Sequence, residues 1–397
     1  MYRLPEEMTP LLPSDRGGSL AELAVVLHRE SAVLSGLLRP ATRSVVVDLL
    51  RQMNSYYSNL IEGHRTHPLD IERALRSDYS SEPAKRALQE ESRAHIEVQR
   101  LLEARMANEP SLAICAPDFL RWIHREFYTR MPAEFLVVRD RKGNQRSFQP
   151  GEFRAFQVEV GRHVPPAHET IPQFLIRFAE AYDPGKLRGL HVIVAAAAAH
   201  HRLAWIHPFA DGNGRVTRLF THAYLIRAGL HSHGLWTMSR GLSRHRDEYM
   251  NALAAADEPR RSDLDGRGNL SEQGLRAFCK FFLETAIDQT RFMGELLNLD
   301  TLEARIVAYA QRRAFVKELP AESGFVLREV LLRGEVPRGE MARVTGTSER
   351  TARRILERLL EDGLVASNTP KGPVRLALPV KASGFYFPRL YPEGTDS

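Results

Sequence analysis

Apolar residues recur along most of this chain at intervals of three and four. Leu20, Leu23, Leu27, Leu34 and Leu37 follow Ser19-x-x-Glu22, which reads as a capping box opening a helix. Pro40 interrupts that pattern, and Val46, Leu49, Met53, Tyr57 and Leu60 form a second stripe that stops at Gly63, a natural C-cap. Ile71–Leu75 and Ala84–Met106 continue with charged outer faces, and a further helix, capped near Asp118, runs to Tyr128. Helices are also expected over Pro172–Tyr182, Leu190–Ile206, Val216–Ala228, Leu242–Ala256 and Ser271–Leu299, the last with Phe278, Phe281 and Phe282 facing inward. Two stretches break the helical period. Short extended pieces flank the polar run Arg139–Asn144, and Phe156, Val158 and Val160 alternate before Gly161. Pro165-Pro166 would end that pairing, so residues 151–166 read as a β-hairpin. Residues 1–18 read as an extended arm and Asp257–Leu270 as a loop. The fold class is therefore mainly α, a helical bundle with one hairpin.

The C-terminal part is patterned differently. Phe325–Leu332, Arg338–Val344 and Ser348–Asp362 read as three short helices, with Ser348 as the cap of the third. Val365–Leu378 turns at Pro370–Pro373 as a hairpin, which completes a winged helix-turn-helix layout. Its third helix sets Arg350, Arg353, Arg354 and Arg358 against Glu349, Glu357, Glu361 and Asp362. That near-neutral balance leaves two readings open, nucleic-acid contact or a protein-interaction module. The expected domains are 1–110, a helical region; 111–300, a core; and 301–397, the winged helix and tail.

Composition narrows the class. The 397 residues, 43% of them hydrophobic, suffice for two or three folded domains. Fifty-five basic against 49 acidic residues give a net charge of +6, which suits nucleotide contact without requiring it. Cys115 and Cys279 stand far apart, which argues against a disulfide framework or a cysteine-based zinc site. The apolar run Leu190–Ile206 carries His191, His200, His201 and Arg202, so it reads as a core helix and not a membrane span. The N-terminus has no apolar leader segment, and a cytoplasmic location is expected.

The chemistry concentrates in His207-Pro208-Phe209-Ala210-Asp211-Gly212-Asn213-Gly214-Arg215-Val216-Thr217-Arg218. Gly212 and Gly214 let successive backbone N–H groups turn toward one point, and a helix beginning near Gly214 adds its positive end there. That is an anion nest suited to phosphate. A base (His207), a carboxylate (Asp211) and two arginines on one helical face surround it. Together they indicate phosphoryl-type chemistry on a nucleotide with a bound divalent ion.

This window resembles the signature of the Fic family, H-P-F-x-[D/E]-G-N-G-R-x-x-R, at every defined position. The resemblance, over roughly residues 40–290, implies a protein adenylyltransferase that moves AMP from ATP onto a Ser, Thr or Tyr hydroxyl. It assigns His207 as general base, Asp211 as ligand of Mg²⁺ or Mn²⁺, and Gly212, Asn213 and Gly214 to the anion hole. It places Arg215 and Arg218 on the β- and γ-phosphates, and Phe209 in the core as the loop's anchor. Relatives that phosphorylate carry Lys at the position of Gly214. Ser58-Asn59-Leu60-Ile61-Glu62-Gly63, at the end of a helix over about 41–63, resembles the family's inhibitory motif [S/T]-x-x-x-E-[G/N]. By that likeness Ser58, Glu62 and Gly63 restrain the enzyme, with Glu62 pairing Arg218 and blocking the γ-phosphate. Residues 151–166 resemble the flap over the active site, with Arg162, His163 and Val164 clamping the target. Tyr249 matches an aromatic near adenine, whereas Asp257 stands where relatives often have Asn. The implied partners are ATP, a hydroxyl-bearing protein or the chain itself, a second copy, and nucleic acid through the C-terminal module. Alternatives are a nucleotide-sensing transcription regulator, transfer of UMP or GMP, and removal of AMP.

Overall fold

The computed structural model describes residues 2–15, 17–139, 143–161 and 163–391. The chain opens with α1 (Ser19–Ser35), α2 (Pro40–Ile61), α3 (Pro68–Leu75), α4 (Pro83–Asn108) and α5 (Pro117–Tyr128). A small antiparallel pair follows, β1 (Val137–Arg139) and β2 (Gln145–Ser147), with Val137 opposite Ser147. The polar turn expected between them falls partly on residues 140–142, outside the described residues. Next come α6 (Ile171–Tyr182), α7 (His191–Ile206), α8 (Asn213–Arg227), α9 (Met238–Arg244), α10 (Arg246–Asp257) and α11 (Glu272–Leu296).

α7 and α8 form the centre. Ala195 to Ala199 are all at most 1% exposed, because small side chains let α6, α8 and α11 approach α7 closely. Around them lie Phe174, Phe178, Phe220, Phe278 and Phe282, all buried, in a core that also takes in α1, α2 and α4. Phe281 is only half-buried. His200 and His201, carried by the expected core helix, are both buried.

Several local readings need correction. α1 is not capped by the Ser19 box: its N-cap is Gly18, in left-handed backbone (φ 70°). The Asp15 carboxylate folds back to accept from Leu20 N (3.2 Å) and Ala21 N (2.9 Å). α5 starts one residue before Asp118, with Pro117 presetting its first turn and no side-chain cap. The single helix expected over 242–256 is two, broken at His245 (φ −112°, ψ 39°), and the break turns α10 so that Tyr249 meets α7.

The C-terminal part begins with a helix not foreseen, α12 (Leu299–Phe315), followed by α13 (Ser323–Arg333), β3 (Glu335–Val336), α14 (Met341–Thr345) and α15 (Glu349–Glu361). Ser348 caps α15 by accepting from Thr351 N. β4 (Val365–Ala366) and β5 (Val374–Leu376) then pair, and β5 lies between β4 and β3 in an antiparallel sheet. A last unforeseen helix, α16 (Val380–Tyr386), carries the chain back to its beginning. Tyr57 Oη on α2 donates to Leu390 O (2.8 Å), Thr42 Oγ1 to Leu331 O (3.2 Å), and Val380 N to Glu72 Oε2 (3.1 Å). Among the described residues no helix is long and apolar enough to cross a membrane.

Candidate active site

The loop from α7 to α8 is fixed by three devices. His207 ends α7 in left-handed backbone (φ 49°), which turns the chain out of the helix. Phe209 is fully buried and stacks on His124, with ring centres 4.1 Å apart and planes 10° off parallel. Asn213 then staples the loop: its Oδ1 accepts from Phe209 N (2.9 Å) and its Nδ2 donates to Phe209 O (2.8 Å). The Asn213 side chain thus shapes the nest rather than reaching into it. What it leaves for an anion is backbone, the first N–H groups of α8. Gly212 needs its φ of 73°, and a Cβ there would sit 2.6 Å from the Tyr128 ring.

His207 is the base the loop carries. Its Nδ1–H donates to Ala204 O (3.3 Å), which leaves Nε2 as a bare acceptor. Burial, then the charges of His163 and Arg154, push its pKa down to about 4, so the imidazole is neutral at pH 7. Asp211 is exposed, and Tyr128 Oη donates to its Oδ2 (2.8 Å).

The two arginines part company. Arg218 turns to α2: Nε donates to Ser58 Oγ (2.8 Å), and Nη2 to Ser58 O (3.1 Å) and Glu62 Oε1 (2.6 Å). Gly63 N to Leu60 O (3.0 Å) and His64 N to Asn59 O (2.9 Å) close α2 in a Schellman turn, with Gly63 at φ 88°. That turn holds Glu62 over the start of α8, where a Cβ on Gly214 would collide with Glu62 Oε1. Burial alone would raise the Glu62 pKa, yet Arg218 and Arg215 outweigh it and hold the carboxyl below its usual range. Arg215, expected at the phosphates, instead pairs with the buried Glu91 of α4 and lies over the Phe127 ring (5.4 Å). It does not line the cavity. Glu91 also accepts from His64 Nδ1 (2.8 Å), a hydrogen bond that raises the His64 pKa.

These groups meet in a cavity of about 880 Å³, within the range of nucleotide-sized sites. Glu62, Gly214, Arg218 and His207 line one part of it, and Leu253, Ala254, Asp257 and Glu258 another. Tyr249 lies in its wall. Thr221 Oγ1 donates to Thr217 O, so His200 Nδ1 donates to Thr221 and His200 Nε2 accepts from Tyr249 Oη (2.9 Å). His201 Nε2 donates to Leu253 O (3.1 Å) and lies 3.1 Å from Asp257, which faces His163 Nδ1 at 3.6 Å.

Among its described residues, the stretch expected as a hairpin shows a single antiparallel bridge, Val160 to His163. The reason is competition for its carbonyls. Arg154 donates to Phe156 O (3.3 Å) and Pro166 O (2.6 Å), and Gln157 to Pro165 O (3.0 Å), while Pro165 and Pro166 have no N–H. Val164 and His163 both border the cavity, and His163 Nε2 donates to Trp205 O (2.7 Å). Arg162 lies outside the described residues. Arg154 itself is a residue no sequence signal marked. It is buried, and its Nε donates to His207 O (2.9 Å), so one guanidinium ties this segment to the base. Burial pushes its pKa down to about 10.

The helical bundle thus brings a phosphate-type nest, a neutral histidine and an arginine to one cavity. The sequence profile of the Fic/DOC family matches residues 114–225. The protein adenylyltransferase Fic of Nematostella vectensis is 35% identical over 179 residues, covering 44% of this chain and 37% of that protein. The one from Drosophila grimshawi is 42% identical over 87 residues, 22% of this chain and 18% of its own. The chain thus spans under two-fifths of the length of these curated relatives. Among solved structures, a Fic family protein from Desulfovibrio desulfuricans G20 superposes with a TM-score of 0.53 at 17% identity, covering 93% of this chain and 98% of that one. Fic-1 from C. elegans gives 0.52 at 17% identity, over 70% and 73%. Both show a shared fold.

Proposed function

We propose that the protein is a protein adenylyltransferase held in check by its own α2. The acceptor hydroxyl oxygen attacks the α-phosphorus of ATP, the bond to the β-phosphate bridging oxygen breaks, and pyrophosphate leaves. The hydroxyl proton passes to His207 Nε2, which is neutral and free to take it. The backbone N–H groups at the start of α8 hold the phosphates, and Arg218 is the cation for the γ-phosphate once released. Asp211 suits Mg²⁺ or Mn²⁺: it is an exposed carboxylate with one oxygen oriented by Tyr128, beside a phosphate nest. A bound Mg²⁺ would offset phosphate charge there.

The observation that carries this reading is the Glu62 carboxylate. It lies against Gly214 and pairs with Arg218 at the place a triphosphate's terminal anion would use. A carboxylate bound by an anion site is an inhibitor of that site, so Glu62→Gly should raise self-modification by tenfold or more. The test is transfer of label from the α-phosphate of ATP to the purified chain. His207→Ala in the same background should abolish transfer. Glu62→Gly protein no more active than wild type would end the inhibition reading, and transfer surviving His207→Ala would end the mechanism. Competition by unlabelled GTP and UTP in the same assay decides the base, which the phosphate site does not.

A further inference from the structure

A second cluster lies one helical turn along α8 from Arg218, on residues that do not line the cavity. Glu103 on α4, His222 on α8 and His231 in the loop after α8 bring one ligand atom each to within 4.8 Å of one another. His222 Nε2 is 2.9 Å from Glu103 Oε1, and the two imidazoles meet edge to face at 4.7 Å. His222 and Glu103 alone would be an ordinary ion pair. That account leaves out His231, whose Nε2 is closed to solvent and has no hydrogen-bond partner. An isolated imidazole nitrogen facing a carboxylate and a second imidazole is the donor set of a metal ligand.

The surroundings are those of an oriented ligand. Arg51 Nε donates to Glu103 Oε2 (2.9 Å) and Gln99 Nε2 to Glu103 Oε1 (2.9 Å), which fixes the carboxylate. Asn54 in turn donates to Gln99 Oε1 (2.7 Å). A surface groove of about 480 Å³, bordered by Arg51, Glu103, Met106, His231 and His233, gives an entry path.

We propose that Glu103, His222 and His231 bind one divalent transition ion of the Zn²⁺ type, in a site separate from the nucleotide cavity. Two imidazoles and one carboxylate favour Zn²⁺ over Mg²⁺, which takes oxygen ligands. On binding, His222 Nε2 exchanges its proton for the metal and the proton goes to solvent. The ion would join α4, α8 and the following loop, and α2 through Arg51. His222 is one helical turn beyond Arg218, so the clamp acts on the helix whose arginine Glu62 holds.

The test uses the full chain, stripped with chelator and titrated with ZnCl₂ by calorimetry in excess Mg²⁺. Wild type should take up one Zn²⁺ per chain, and its thermal midpoint should rise on Zn²⁺ addition. His231→Ala should bind at least tenfold more weakly and show no such rise, whereas His191→Ala, at a distant histidine, should behave as wild type. Glu103→Gln is the second variant and should also bind at least tenfold more weakly. Less than one equivalent bound by wild type, or equal affinity in wild type and His231→Ala, overturns the proposal. Neither readout depends on transferase activity.

Discussion

Arg218 donates to three oxygens at the end of α2: the hydroxyl and carbonyl of Ser58 and the carboxylate of Glu62, the residue after its last turn. The restraint is therefore shared, and its parts should separate by mutation. Ser58→Ala removes one charge-assisted hydrogen bond, about 1.5–3 kcal/mol. It should raise self-modification less than Glu62→Gly does, measured by the same label transfer. Arg218→Ala in the Glu62→Gly background should fall by about a hundredfold, because the phosphate cation goes with it. Activity retained in that double variant would remove Arg218 from the mechanism. At this scale the signature was readable because glycine, asparagine and histidine at fixed offsets imply a particular turn. Two assignments were not readable. Three-residue spacing puts Arg215 and Arg218 on one face, but only the arrival of α4 decides that Arg215 meets Glu91. Nor could the sequence tell that the Asn213 side chain holds the loop and leaves only its backbone to the anion site.

Between α5 and α6 the chain depends on side chains for its shape more than on a ladder. Arg154 alone holds the carbonyls of Phe156, Pro166 and His207. Arg154→Met keeps the stem and removes the donors. Backbone amides in 155–164 should then exchange about ten- to a hundredfold faster, equivalent to roughly 1.4–2.7 kcal/mol of local stability. Exchange mapped by mass spectrometry checks this, and unchanged protection there would show that the bridge and the prolines suffice. Alternation of apolar residues suggested a hairpin because period two reports only that side chains alternate. It does not reveal that Arg154 and Gln157 compete for the carbonyls. α12 hides its regularity differently: Leu302, Ile306, Tyr309 and Ala310 are its buried positions, set among charged residues. α16 is too short for its own pattern to declare it, and it is held by contacts to α3 and α12.

Seen whole, the molecule keeps several histidines neutral in its interior. His95, His124 and His200 are fully buried, and burial pushes their pKa values down to about 3, 4 and 3. In the unfolded chain each takes a proton near its ordinary pKa of 6.5, while the folded chain does not. Stability contributed by the neutral form is therefore complete above pH 6.5 and lost as pH falls below it. At pH 5.5 the loss is about 1.4 kcal/mol per group, roughly 4 kcal/mol for the three. Urea unfolding at pH 7.5 and 5.5 measures it, and equal free energies at both would show these histidines protonated in the folded state.

Taken alone, the order of residues determined the helical class, most helix positions, and the makeup of the phosphate loop. These depend on periods, caps and turn residues that act within a dozen positions. The meeting of Glu62 with Arg218 was suggested by a motif, but its geometry was set by where α2 packs on α8. The Glu91 partner of Arg215, the Arg154 tie to His207 and the Glu103–His222–His231 cluster were decided wholly by packing. Each joins residues dozens of positions apart, and such distances close only when helices find their neighbours.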